Sequence, residues 1–366
     1  MQICKAINVP HLDLLKETSH LVGIFSESFQ EEEIANYLET SLQSIDSLTV
    51  KRIGNTLVAS TNFGHSQRLL LAGHIDTVPE SGNLKPIIEG ETLFGLGSVD
   101  MKAGLAVMLG LSHEVQNPVV DVTYVFYPCE EVDHIHNGLF NLSKTNPELL
   151  KGDAAILLEP TSAIIEAGCQ GVIRMAITIR GKRAHSARPW MGVNAIHRSQ
   201  RVIEAIENFV ERKPIIDGCQ YHEVLQAVGI TGGVAMNVIP DEVVIKINHR
   251  SAPDRSSAES IEYLETFFED VIDPDLGDEI EILDISEPAL PGLNHPLLNK
   301  LKDLSGTEPR AKLGWTDVSF FASLGIPALN YGPGDAALAH GPNEKVDRSE
   351  IESVYETIFK LLKNGL

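Results

Sequence analysis

Three short apolar runs, Arg68–Ala72, Val122–Tyr127 and Ala154–Leu158, constrain this chain more than any other feature. Each is too short for a helix, and each stops against Gly73, Pro128 or Glu159. Uninterrupted apolar runs of this length mark strands covered on both faces, as in parallel sheets. Met101–Val115 reads as a helix between the first two runs. Strands alternating with helices predict an α/β fold built on an open, mostly parallel sheet. Upstream, Ser28-Phe29-Gln30-Glu31 reads as a capping box. It opens a helix with Ile34, Tyr37, Leu38, Leu42 and Ile45 spaced three and four apart.

From about Gly168 the pattern changes. Val172–Arg180 alternates like a half-exposed strand, and Val193–Val210 is amphipathic, with Ile196, Ile203, Ile206 and Val210 along one face. Glu242–Asn248 alternates through Val243, Ile245 and Ile247, Ile261, Leu264, Phe268 and Val271 mark a second helix, and Glu279–Leu283 a last strand. These elements make a compact α+β unit over residues 168–287. Pro288-Ala289-Leu290-Pro291-Gly292 breaks it, and a helix, a strand (Pro327–Tyr331) and a C-terminal helix (Ser349–Lys363) follow. The simplest account is a first domain, residues 1–167 and 288–366, interrupted by an inserted second one. A length of 366 residues favours two domains, and 43% hydrophobic residues can fill both cores.

Charge narrows the partners. The formal net charge is -22, from 29 basic and 51 acidic residues. Nucleic acid needs a basic footprint and is not an expected partner. An anionic substrate would need a local cluster of Arg and Lys against this background. Cys4, Cys129, Cys169 and Cys219 form no CxxC pair, so neither a redox motif nor a thiolate metal site is indicated. Scattered cysteines fit a reducing compartment. The N-terminal stretch MQICKAINVPHLDLLKE has no signal-peptide core, and no apolar run is long enough to span a membrane. The expectation is a soluble cytoplasmic protein acting on a small molecule, without a membrane partner.

In an open α/β sheet, ligands bind beyond the carboxyl ends of the strands. His74 and Asp76 follow the first run, Glu130 and Glu131 the second, and Glu159 the third. His340 comes a short loop after Pro327–Tyr331, and Asp100 ends the extended stretch LFGLGSVD. Each strand end thus presents a metal-ligand type. Two zinc ions need roughly three protein ligands each, with a position left for water. His74, Asp100 and Glu159 could serve one ion, and His340, Asp100 and Glu131 the other. Asp100 would bridge, as a pair of ions about 3.5–4 Å apart requires. Asp76, two residues from His74, suits the fixing of an imidazole tautomer. Glu130 suits a general base toward a water activated by metal. His134 and His136 are rival ligands that more readily decorate a helix start. Gly95-Leu96-Gly97 lacks the third glycine of a dinucleotide fingerprint. Carboxylate-rich ligation selects zinc only weakly, so cobalt or manganese could replace it in one site.

The ordered segments GHIDTVP (from Gly73), GLGSVDMKAGLAV (from Gly95), Glu130-Glu131, LEPT (from Leu158), RAHSARP (from Arg183) and AHGPNE (from Ala339) resemble the dinuclear zinc aminoacylase and carboxypeptidase family across essentially the whole chain. The resemblance implies a zinc exopeptidase-like catalytic domain with an inserted lid and dimerisation domain. It places the metal, orienting and base roles on the residues named above and implies a cis peptide between Asp100 and Met101. It makes the chain a homodimer whose lid histidine, here His185, stabilises the tetrahedral oxyanion at the neighbouring subunit's metals. Asn237 and Arg250 match substrate-binding positions, and Arg183, Arg188 and Arg250 give the lid cations suited to carboxylates. Further stretches, among them IEAGCQG (from Ile165), NVIPD (from Asn237), KLGWTDVSFF (from Lys312) and GIPALNYGPGD (from Gly325), are similar to the actinobacterial-type desuccinylase branch. That branch implies removal of succinate from N-succinyl-LL-2,6-diaminopimelate. Where proteobacterial members carry GRRG, this chain has Gly168-Cys169-Gln170-Gly171, and Arg174 is the candidate replacement cation. The alternatives are the same chemistry on another acyl amino acid, such as acetylornithine, or on a dipeptide, and a metal-free binding protein. Substrate charge separates the succinyl reading from the same chemistry on another substrate, since a succinyl group needs a cationic contact that acetyl does not, and the complete ligand set argues against the metal-free protein.

Overall fold

A computed structural model describes residues 12–365. Cys4 and most of the stretch read above for a leader lie outside the described residues. Two compact units divide the chain. The first runs up to Ala167 and resumes over Gly292–Arg310 and Phe320–Leu366. The second holds Gly168–Pro291 and also Ala311–Ser319, a segment that the sequence reading leaves in the first domain.

The first unit is organised on an eight-stranded sheet. Its strands stand in the spatial order Thr49–Ile53, Thr56–Ser60, Asp121–Tyr127, Arg68–His74, Ala154–Leu157, Ala328–Asn330, Glu166–Ala167 and Arg310–Ala311. The four central strands are parallel, and Thr49–Ser60 adds an antiparallel hairpin at one edge. Every residue of Asp121–Tyr127 is buried, as its apolar run predicts. The helix Lys102–Glu114 is buried on nearly every side, so it lies in the core rather than on the surface. Gly104 permits this: a Cβ there would stand 2.3 Å from the Leu158 carbonyl oxygen. The close approach sets the start of the helix, and Asp100 before it, above the strand ends.

Two local expectations are corrected. Ser28–Glu31 is not a capping box. The helix spans Glu32–Gln43 with Glu31 as an N-cap that makes no side-chain capping bond. Phe29 takes a left-handed φ of 74°, which separates Ser28 from the helix and turns its hydroxyl to Asp76. Nor is the whole stretch up to Asp100 extended: only Thr92–Phe94 is a strand, and turns follow it.

The second unit has a four-stranded antiparallel sheet in the order Val224–Gly232, Glu242–Ser251, Gly171–Arg180, Glu279–Ser286. Ile173, Met175, Ile177, Ile179, Val243, Ile245 and Ile247 point to one face. There they pack with Val202 and Ile206 of the helix Ala195–Glu207 and Leu264 and Phe268 of the helix Ser257–Phe268. The apolar face read from sequence is therefore rotated. Ala195, Ser199, Val202 and Ile206 are buried, while Ile196, Ile203 and Val210 are exposed. Periodicity finds an apolar stripe but not which of two overlapping stripes meets the sheet. Among the described residues, no helix is long and apolar enough to cross a membrane.

Candidate metal centre

The parallel strands end on one side, and their first residues beyond the sheet converge. His74 closes Arg68–His74, Glu130 and Glu131 follow Asp121–Tyr127, and Glu159 follows Ala154–Leu157. His340 comes after Ala328–Asn330 and a short turn at Ala336–Leu338. Asp100 stands among them. Its Oδ1 lies 3.0 Å from His74 Nε2 and its Oδ2 3.3 Å from His340 Nε2. His340 Nε2 is also 2.8 Å from Glu131 Oε1, and Glu159 Oε1 is 4.0 Å from His74 Nε2. Donor atoms of His74, Asp100 and Glu131 come close enough to hold an ion. The five residues proposed from sequence as ligands are thus brought together in the first unit. His134 and His136 are not in this group. His134 pairs with Asp133 at 3.4 Å, and the His136 ring meets Phe29.

Backbone geometry aims these side chains. Cys129, before the glutamate pair, has φ 60°, and His340 itself has φ 61°. Left-handed backbone at non-glycine residues costs of order 1–3 kcal/mol each and clusters at functional sites. The Asp100–Met101 peptide is cis.

Asp76 is fully buried. Its carboxylate accepts the backbone N–H groups of Glu130 and Glu131, both at 3.1 Å, and the Ser28 hydroxyl at 2.8 Å. Its Oδ1 also lies 3.5 Å from His74 Nδ1. The His74 Nδ1–H donates to the Asp76 backbone carbonyl at 3.1 Å, so Asp76 fixes the histidine ring through its main chain and the peptides of the glutamate pair through its carboxylate. Glu344, given no role from sequence, does similar work opposite. Its buried Oε1 accepts the N–H groups of Val99 and Asp100 at 2.8 and 3.0 Å. The only signal for it was its place at the end of AHGPNE.

The electrostatics favour positive charge. Burial opposes protonation of His74, yet Asp100, Asp76 and Glu159 outweigh it and hold the imidazole well above its ordinary range. Hydrogen bonds to Asp100 and Glu131 raise His340 to about 10. Burial pushes the Asp100 carboxyl upward, but the two histidines prevail and keep it below the usual carboxylate range. Three carboxylates arranged so strongly in favour of cations, with two imidazole nitrogens turned inward, are a donor set suited to divalent metal.

The remaining site candidates lie in the second unit. His185 is exposed and sits in a short pairing with Val238, and the Ser186 N–H donates to the Asn237 carbonyl at 3.0 Å, so His185 and Asn237 are neighbours. The exposed Arg188 donates its N–H to the His185 carbonyl at 2.8 Å. Arg174 and Arg250 lie on adjacent strands, Arg174 paired with Asp284 and Arg250 half-buried.

The profile of peptidase family M20/M25/M40 matches residues 70–364. The chain belongs to that family. It is a metal-dependent amide hydrolase by this membership, with the centre above as its candidate metal site. A Mycobacterium tuberculosis protein assigned as a succinyl-diaminopimelate desuccinylase is 45% identical over 351 residues, covering 96% of this chain and 98% of that protein. The Corynebacterium glutamicum succinyl-diaminopimelate desuccinylase is 43% identical, covering 94% and 96%. Among solved structures, a tripeptidase from Staphylococcus aureus matches with a TM-score of 0.77 at 24% identity, covering 96% and 97%, and shares the fold.

Proposed function

We propose that this chain hydrolyses N-succinyl-LL-2,6-diaminopimelate to succinate and LL-2,6-diaminopimelate. The likeness to desuccinylases over nearly the whole length of both chains carries this reading. Two zinc ions fit the donor set: His74, Asp100 and Glu159 for one, His340, Asp100 and Glu131 for the other. When bound, they supply Lewis acidity toward the amide carbonyl and make water acidic enough to attack near neutral pH. Glu130 takes the proton of the attacking water on its carboxylate and returns it to the departing nitrogen. Asp76 keeps the His74 ring and the glutamate pair in place. His185 donates to the developing oxyanion. Arg250, Arg174, Arg188 and Asn237 bind the substrate's carboxylates and amide.

The protein acts as a homodimer in this reading. The edge strand Val224–Gly232 exposes Val228 and Ile230, and Ile196 and Ile203 are exposed on the helix Ala195–Glu207. An open strand edge beside apolar side chains suits two-fold pairing with a second copy. The buried free cysteines Cys129, Cys169 and Cys219 suit a reducing cytoplasm.

The test is an assay of purified, zinc-loaded protein with N-succinyl-LL-2,6-diaminopimelate and acetylornithine side by side, with metal analysis of the same sample. A clear preference for the succinyl substrate, lost in Arg250→Ala, and a zinc-to-chain ratio near two are expected. Faster turnover of acetylornithine overturns the substrate. A bound metal whose neighbours exclude both His74 and His340 overturns the centre.

A further inference from the structure

The second unit buries one face of its sheet under helices and leaves the other open, and that open face carries an unusual row. Ile173, Met175, Ile247 and His249 point into the core, so the alternating Arg174, Asn248 and Arg250 point away. In register, Asp284 stands opposite Arg174, Arg174 opposite Asn248, and Asn248 opposite Gln226. A bulge between Ile282 and Asp284 brings the Asp284 carboxylate onto this face, where it pairs with the Arg174 guanidinium. Arg250 sits diagonally from Arg174, opposite Val172.

Arg250 is the residue out of balance. Its guanidinium is half-buried and makes no ion pair or hydrogen bond among the described residues. Burial, and then the charge of Arg174 beside it, both disfavour its charged form. A desolvated cation next to a second cation calls for an anion that the chain does not itself provide. Asp284 is already engaged by Arg174. The face therefore presents two guanidiniums, one carboxylate and the Asn248 amide within one row and its diagonal.

That set is complementary to both halves of an α-amino-acid end group, a carboxylate with an ammonium on the same carbon. We propose that Asp284 is a specificity-determining residue that binds the free ammonium at the distal end of the substrate while Arg174 and Arg250 take the carboxylate beside it. This rests on the desuccinylase reading, under which the substrate ends in such a group. Binding places the ammonium on Asp284 and lets Arg174 and Arg250 share the ligand carboxylate, so the net charge of the set is unchanged while Arg250 gains an anionic partner. A ligand with the carboxylate but without the ammonium leaves the Arg174–Asp284 pair in place and forgoes the Asp284 contact, so the ammonium-bearing ligand is preferred by the worth of that contact.

The test uses Asp284→Asn and the parent protein with two ligand pairs. Calorimetry compares LL-2,6-diaminopimelate with pimelate, which has no ammonium at either end. Turnover compares the N-succinyl derivatives of LL-2,6-diaminopimelate and of L-2-aminopimelate, the latter lacking the distal ammonium. The parent should prefer the ammonium-bearing member in both series. Asp284→Asn should shrink that preference about 10- to 100-fold, the worth of one hydrogen bond to a charged group, through KM rather than kcat. Its handling of the member without the distal ammonium should stay within about two- or threefold, as the loss of an exposed ion pair alone allows. An unchanged preference in Asp284→Asn, or an equal loss on both members, overturns the proposal. If the parent protein turns over neither succinyl compound, the desuccinylase reading fails, and the calorimetric preference still decides the role of Asp284.

Discussion

Asp76 accepts the backbone N–H of Glu131 at 3.1 Å across a sequence separation of 55 residues. The same carboxylate holds the N–H of Glu130 and faces the His74 ring. Two adjacent strands thus end in one shared electrostatic joint, and the glutamate pair cannot shift without disturbing the histidine.

The two glutamates should separate by their losses. Glu130→Gln keeps the shape and removes only proton transfer. It should retain both metals and lose about 10²- to 10⁴-fold in kcat. Glu131→Gln breaks the contact with His340 and should instead release one metal at lower chelator concentration. Near-native turnover by Glu130→Gln, with metal content measured on the same sample, would show the two roles to be assigned wrongly.

Asp76→Asn should act at both strand ends. An amide presents N–H where the Glu130 and Glu131 peptides need acceptors, so one buried donor is left unmatched. Metal affinity or activity should fall about 10- to 100-fold, the usual effect of losing a group that orients a ligand. Ser28→Ala removes one buried hydrogen bond and should cost about 1 kcal/mol in thermal unfolding. Indistinguishable metal affinity and kcat in Asp76→Asn would refute the joint.

His249 should make the second unit acid-sensitive. Its Nδ1–H donates to the Val224 carbonyl at 3.0 Å, and its buried Nε2 has no hydrogen-bond partner among the described residues. Burial depresses its pKa below the ordinary 6.5; nearby Glu223 works against the shift, and Arg255 and Arg212 reinforce it. The unfolded chain therefore takes up a proton that the folded one refuses. Its stabilising contribution is complete above about pH 6.5 and is lost as pH falls from there toward the depressed folded value. His249→Gln cannot titrate. Its unfolding midpoint should fall less steeply below pH 6.5 than that of the parent, and parallel curves would refute the assignment.

A shared active site should be visible by mixing. Glu130→Ala and His185→Ala are each expected to be inactive as homodimers. If His185 serves the neighbouring subunit, exchange of subunits collects both lesions in one site and leaves the other intact. Activity should then reappear, up to one working site per mixed dimer. A mixture that stays dead despite demonstrated exchange would place His185 with its own chain or outside the reaction.

Much of the candidate metal centre could be read before any coordinates, because its candidate ligands follow strands with strong local signatures. Parallel strands end on one side of the sheet, so His74, Glu131, Glu159 and His340 stood out as a joint set of candidate ligands, to which the motif resemblance added weight. Glu344 and Ser28 were not. They act by hydrogen bonds to backbone or to a carboxylate distant in sequence, and neither kind of partner leaves a local periodicity. The same limit explains the helix Ala195–Glu207, whose two apolar stripes overlap so closely that only packing against the sheet chooses Ala195, Val202 and Ile206 over Ile196 and Ile203.

The sequence alone determined the strand runs, the inserted α+β unit and the kinds of side chain that end each strand, since all three follow from local hydrophobic period and composition. Only the tertiary structure decided that Asp100 turns one oxygen to each histidine, that Asp76 ties two strand ends together, and that Asp284 meets Arg174 across a bulge. Those relationships depend on chain register and close approach, which no local pattern encodes.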